Sequence, residues 1–193
     1  LFKNHTREKL FGQVYTPDFI VNKILDDIGF NNESILGKKI LDPACGDGRF
    51  LSEIIKRIIY YSPPEKIAQN LSYVYGYDID NIAIDECIDN LNSIVKEYTK
   101  EQIKWNIFCC DALKKIEYLN DIFATDDFTY FDYIVGNPPY IRIQHLEEEQ
   151  RKFIQKNYSF CSSGSTDIYI AFFEFSYLSL TQTGICGLIT PNT

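Results

Sequence analysis

Four short apolar runs in the sequence each stop on an acid or an amide, and this pattern constrains the fold more than any other feature of the chain. The run at 39–42 ends on Asp42, the run at 73–79 carries Asp78, the run at 104–110 leads into Asp111, and the run at 131–136 leads into Asn137. Apolar residues at helical spacing lie between them. They run over 50–60 and again through Ala83, Ile84, Cys87, Ile88, Leu91, Ile94 and Val95, a single stripe. Alternation of strand and helix predicts an α/β fold, a mostly parallel sheet with helices on both faces. In such sheets ligands bind beyond the carboxyl ends of the strands, where the strand order switches direction. The acids and the amide fall at those ends.

The flanking elements are read in the same way. Thr16 is expected to cap a helix carrying Ile20, Val21, Ile24, Leu25 and Ile28, with Pro17 in its first turn and Gly29 after its end. Asp80 is expected to cap the helix after the second strand. A polar surface helix is predicted over 147–158 and an apolar helix over 167–180. Gly184 is expected to break the chain before a fifth strand at 185–190.

Composition excludes several classes. The longest apolar runs fall short of the roughly 18 residues that a membrane span needs, and the first residues do not form a secretion signal; no membrane partner and a cytoplasmic location are the expectation. Six cysteines form no C-x-x-C pair and only two histidines are present, so buried reduced thiols and no metal are expected. Net charge is −8, the wrong sign for a stand-alone nucleic-acid binder. Methionine is absent, and the chain stops just after a strand-like segment. The missing methionine and the abrupt end predict a piece of a longer protein; either the substrate is not nucleic acid, or a basic surface lies in a part outside this chain.

Two segments carry chemistry. Asp42-Pro43-Ala44-Cys45-Gly46-Asp47-Gly48 takes a strand through a turn with two glycines into a helix, which lets the backbone approach a ligand closely. It is not the dinucleotide fingerprint, since Leu51 holds the third glycine position, and it lacks the lysine ending of a phosphate-binding P-loop. Asp78 can accept both hydroxyls of a ribose, and Asp111 an adenine amino group, although a capping role for Asp111 is open.

The second segment is Asn137-Pro138-Pro139-Tyr140. Its prolines remove two backbone donors and prevent a helix from claiming the preceding carbonyls. Asn137 offers an amide oxygen, and Tyr140 a flat face for stacking. An amino group that donates to the Asn137 oxygen and to the Pro138 carbonyl would have its lone pair drawn out of conjugation. A weak amine nucleophile needs this activation.

Together these residues resemble the amino-group N6-adenine DNA methyltransferases of the gamma arrangement, found in type II restriction–modification systems, including forms with a fused nuclease. The resemblance runs from about Gly12 to Asn192, with Gly12-Gln13-Val14-Tyr15-Thr16-Pro17 as the N-terminal cofactor segment, the 42–48 loop next, and Asn137-Pro138-Pro139-Tyr140 as the catalytic tetrapeptide. It implies a Rossmann-like S-adenosylmethionine-dependent methyltransferase fold lacking its last two strands. Residues 1–37 would form a helical segment contributing to the cofactor site, and 38–193 an incomplete catalytic domain without a target-recognition domain. Thr16, Asp42, Ala44, Gly46 and Gly48 would hold the methionine part of the cofactor, Asp78 and Ile79 the ribose side, and Asp111 and Phe172 the adenine. Asn137, Pro138, Pro139 and Tyr140 would hold a target adenine flipped out of double-stranded DNA.

The chain alone is then expected to bind cofactor, to bind DNA poorly and to methylate little. A fused or separate restriction endonuclease is the further partner implied. Alternatives are a protein glutamine methyltransferase, a cytosine-N4 or RNA-adenine methyltransferase, and a non-catalytic subunit that keeps the fold. Asn137 in place of serine favours adenine over cytosine, and the segment from Gly12 disfavours the glutamine enzyme.

Overall fold

A computed structural model describes residues 16–117, 129–163 and 166–191. Residues Gly12 to Tyr15 of the expected cofactor segment lie outside the described residues. The elements are α1 (Asp18–Asp27), β1 (Ile40–Asp42), α2 (Arg49–Tyr61), α3 (Ile67–Leu71), β2 (Val74–Asp78), α4 (Asn81–Val95), β3 (Asn106–Cys109), β4 (Phe131–Gly136), α5 (Glu148–Asn157), α6 (Tyr169–Ser179) and β5 (Leu180–Leu188).

The five strands form one sheet in the order β3-β2-β1-β4-β5, parallel throughout. Successive residues of a strand point to opposite faces, so Ile40 enters one core and its neighbour Leu41 the other. The first core is built with α1 to α4. There Phe50, Leu51, Ile54, Ile55, Ile58 and Ile59 of α2 repeat at helical spacing and are all buried, each side chain contributing about 1.5–3 kcal/mol relative to exposure. The second core joins Tyr77 and Ile134 to Leu113, Ile154 of α5, and Phe172 and Phe175 of α6. α6 carries aromatic side chains on both sides: Phe172 and Phe175 face the core, while Phe173 and Tyr177 are exposed.

The chain runs from β1 outward to β3, then returns to place β4 on the other side of β1. That reversal makes the gap between the carboxyl ends of β1 and β4 the switch point. Asp42 and Asn137 flank it.

Two expectations about the elements are corrected. Thr16 does not cap α1: the N-cap is Pro17, and its carbonyl accepts from Ile20 and Val21. The Thr16 hydroxyl is buried and pairs elsewhere. Nor does Gly184 end an element. β5 begins at Leu180, directly from α6, and Gly184 lies inside it where the register jumps from Phe131↔Leu180 to Tyr133↔Ile185. On the other side of β4, the Asp132 and Tyr133 N–H groups both donate to the Lys39 carbonyl, at 2.8 and 3.1 Å. The strand is bulged here, and a Cβ on Gly184 would sit 2.9 Å from the Phe131 carbonyl oxygen. Glycine at 184 serves close backbone approach. The cap on Asp80 holds: its side chain accepts from the Ile82 N–H.

Candidate active site

The glycine loop is held against the sheet by main-chain and carboxylate bonds. Gly48 is the N-cap of α2 with φ +87°, a left-handed conformation that L side chains rarely adopt. A Cβ there would meet Cys87 Sγ of α4 at 2.6 Å. Gly46 N–H donates to Asp78 Oδ2 at 2.8 Å, and Asp80 N–H to Asp78 Oδ1 at 2.9 Å. Asp78 therefore ties the loop after β1 to the end of β2. A carboxylate offers about four acceptor positions, so these two bonds leave capacity for a bound hydroxyl.

Asp42 is only 2% exposed, and the Ala44 N–H donates to its Oδ1 at 3.0 Å. Gly136, at the end of β4, comes so close that a Cβ on it would lie 2.6 Å from that same oxygen. Burial dominates the acidity of Asp42, and the charge on Asp78 adds to it; together they outweigh the Ala44 hydrogen bond and push the carboxyl up to about 8. Burial also raises Asp78 and Asp111, against the N–H groups that lower them. Asp111 caps the turn Ala112–Lys115 by accepting from the Leu113 N–H. The three acids share the carboxyl edge of β1, β2 and β3. Beside Asp78, Ile79 is exposed. Phe172 is buried in the second core, which also contains Ala112 and Leu113.

The tetrapeptide is positioned differently. Pro138 is buried, whereas Asn137, Pro139 and Tyr140 are half-buried. Asn137 Nδ2 donates to Thr16 Oγ1 at 3.0 Å, and the Tyr140 hydroxyl donates to Asn137 Oδ1 at 2.5 Å. The Tyr140 ring meets that of Tyr169 edge to face, with centroids 6.1 Å apart. Tyr169 is held there by a short ribbon: Ile168 N–H donates to the Ile141 carbonyl at 2.8 Å, Ile143 N–H to the Thr166 carbonyl at 2.9 Å, and Arg142 pairs with Asp167. Burial, and then Tyr169, pushes the pKa of the Tyr140 hydroxyl above its ordinary value, so it holds its proton more tightly.

Sequence reasoning missed the contacts of Tyr169 and of Thr16 with the tetrapeptide, and it missed Cys87 behind Gly48. The helical stripe through Cys87 marked that residue as buried but said nothing of which loop it would meet.

The arrangement sets an edge of carboxyl and main-chain groups beside an amide whose two ends are fixed. A cationic amino acid joined to a nucleoside matches the first part; a planar amine matches the second. No group of three or more His, Cys, Asp or Glu side chains that could hold a metal ion occurs among the described residues. No helix among them is long and apolar enough to cross a membrane.

Comparison with known proteins gives a family and a fold. Residues 72–193, more than half of the chain, match the family model described as Eco57I restriction-modification methylase. The type II methyltransferase M.BstVI of Geobacillus stearothermophilus is 30% identical over 190 residues, covering 94% of this chain and 33% of the relative. M.BanIII of Aneurinibacillus aneurinilyticus is 29% identical, covering 96% and 31%. The chain thus spans about a third of the length of these curated relatives. Among solved structures, a DrdV–DNA complex superposes with a TM-score of 0.67 at 21% identity, covering 96% of this chain and 21% of that one. A class I S-adenosylmethionine-dependent methyltransferase of Listeria monocytogenes, described as putative, superposes with a TM-score of 0.59 at 17% identity, covering 94% and 47%. The fold is the Rossmann-like methyltransferase fold.

Proposed function

We propose, for a chain that belongs to the Eco57I restriction-modification methylase family, that it moves a methyl group from S-adenosylmethionine to the N6 amino group of an adenine flipped out of DNA. The observation that carries this reading is the fixed amide of Asn137 at the switch point, beside a buried carboxylate and a glycine loop. The sheet edge fits the cofactor by its donor set. Asp42 and the main chain of Ala44, Gly46 and Gly48 would take the methionine end. Asp78 and Ile79 would take the ribose, and Asp111 with Phe172 the adenine. Bound there, S-adenosylmethionine supplies an electrophilic methyl on a sulfonium.

The remaining work falls to the chain's own side chains. A carbonyl oxygen has two lone pairs, so Asn137 Oδ1 can accept from the Tyr140 hydroxyl and from the target amine together. The Pro138 carbonyl would take the amine's second hydrogen. With both hydrogens held, the nitrogen lone pair leaves conjugation with the ring and points at the donor. The Tyr140 ring stacks on the base, its plane set by Tyr169, and Pro139 keeps the turn rigid. The rate then comes from positioning and preorganised hydrogen bonds.

The relatives named as type II methyltransferases and the DNA-bound structure support DNA as the acceptor, reached in part by surface outside this chain. A restriction endonuclease, fused or separate, is the partner this reading implies. Incubation of the full-length protein with methyl-labelled S-adenosylmethionine and either unmethylated DNA or a protein extract, followed by digestion to nucleosides or amino acids, tests it. Label in N6-methyladenine is expected; label in N4-methylcytosine, or in protein glutamine, would refute the assignment.

A further inference from the structure

We infer that Thr16 is a positioning residue for the methyl acceptor: its hydroxyl fixes the orientation of the Asn137 amide, across 121 positions of sequence. This rests on the function proposed above, and assigns Thr16 a task different from contact with the cofactor. The argument begins with burial. Thr16 is 5% exposed, so its hydroxyl must be paired within the protein, and Asn137 Nδ2 donates to it at 3.0 Å. The other end of the same amide accepts from Tyr140. Gripped at nitrogen and at oxygen, the amide cannot swing out of its plane without breaking one of these bonds. Displaced, its oxygen would miss the target amine, and activation would be lost.

Thr16 can serve as a post because its backbone is anchored. It directly precedes Pro17, the N-cap of α1, whose Val21 and Leu25 are fully buried in the first core. α1 is in turn tied to α2. Arg57 of α2 donates to the Asn22 carbonyl at 3.1 Å and to its Oδ1 at 2.9 Å, and Asn22 Nδ2 donates to Glu53 Oε2 at 3.0 Å. α2 is capped at its N-terminus by Gly48, the end of the glycine loop. The loop proposed to hold the donor and the residue that aligns the acceptor amide thus hang from one rigid pair of helices. This arrangement lets the two halves of the reaction keep their register.

The test compares wild type with Thr16→Val, which removes the hydroxyl, and Thr16→Ser, which restores it. Calorimetry measures affinity for S-adenosylmethionine without DNA. Label transfer to unmethylated bacterial genomic DNA is measured at saturating S-adenosylmethionine. Thr16→Val is expected to slow transfer about tenfold or more, as a small misplacement of a reacting group does. Affinity should stay within about threefold, less than the central worth of one neutral hydrogen bond. Thr16→Ser should recover most of the rate. Unchanged transfer in Thr16→Val overturns the proposal. So does a loss of affinity with the saturated rate intact, which would make Thr16 a cofactor contact.

Should the full-length wild type transfer nothing to DNA, the proposed function fails, and the amide protons of Asn137 decide the present point. Their exchange with solvent, read by NMR, should quicken in Thr16→Val and recover in Thr16→Ser; equal exchange in all three overturns it. Thr16→Ala takes the place of Thr16→Val if the valine does not fold.

Discussion

The two loops that flank the switch point achieve their positions by opposite means. The loop after β1 is shaped by backbone and by absence of side chain: Gly48 has φ +87° with Cys87 Sγ behind it, and Gly136 lies against Asp42. The loop after β4 is shaped by side chains, with Thr16 and Tyr140 on either end of the Asn137 amide and Tyr169 against Tyr140. A surface that must approach a ligand from main chain tolerates no added atoms. One that must align a single amide tolerates change until the named groups are touched. Substitutions of the glycines in the first loop should therefore cost stability, and those in the second loop should cost mainly rate.

Asn137→Ala tests the contrast most severely. Transfer should fall about 10²–10³-fold, the size seen when one preorganised polar group is removed from a reacting centre. The unfolding midpoint should move little, because Asn137 is only half-buried. A rate near wild type would break the comparison, as would a large loss of stability.

Gly48→Ala should do the reverse. Left-handed backbone costs an L residue about 1–2 kcal/mol and a forced fit in a packed site about 1–3 kcal/mol more. Chemical denaturation should show a loss within that combined range. In a Cys87→Ala background the clash with Sγ disappears and only the backbone part should remain. An equal cost in both backgrounds would show that Cys87 does not confine the loop.

Asp42→Asn separates function from stability within the first loop. The ordinary carboxyl value is 3.8, and burial pushes Asp42 to about 8. Between those values the folded chain holds a proton that the unfolded chain has released, so wild-type stability falls as pH rises across the window. The asparagine variant carries no such proton. Its thermal midpoint should exceed that of wild type near pH 8 and the difference should shrink toward pH 4, while affinity for S-adenosylmethionine falls. A pH-independent difference would place the burden on another group.

Tyr140→Phe is expected to be mildest. It keeps the ring against Tyr169 and removes one neutral hydrogen bond to Asn137, worth about 0.5–1.5 kcal/mol, so transfer should slow less than about tenfold. A loss as large as that of Asn137→Ala would mean that the hydroxyl, rather than the ring, is what Tyr140 contributes.

Much of this organisation was legible in one dimension. The alternation of apolar runs and helical stripes determined a parallel α/β sheet, and it delimited β4 to the residue. It also placed Asp42, Asp78, Asp111 and Asn137 at strand ends, and named Asp80 as a cap. These properties depend on spacing and on neighbours a few residues away, which periodicity records. Only the tertiary structure decided that Thr16 leaves the helix it precedes and binds Asn137, and that Asp78 is partly engaged by Gly46. It alone decided that Gly184 sits inside β5, and that Cys87 closes the space behind Gly48. Each of those depends on which distant atoms come within a few ångströms once the sheet has formed. A side chain's local pattern carries no record of a partner that far along the chain.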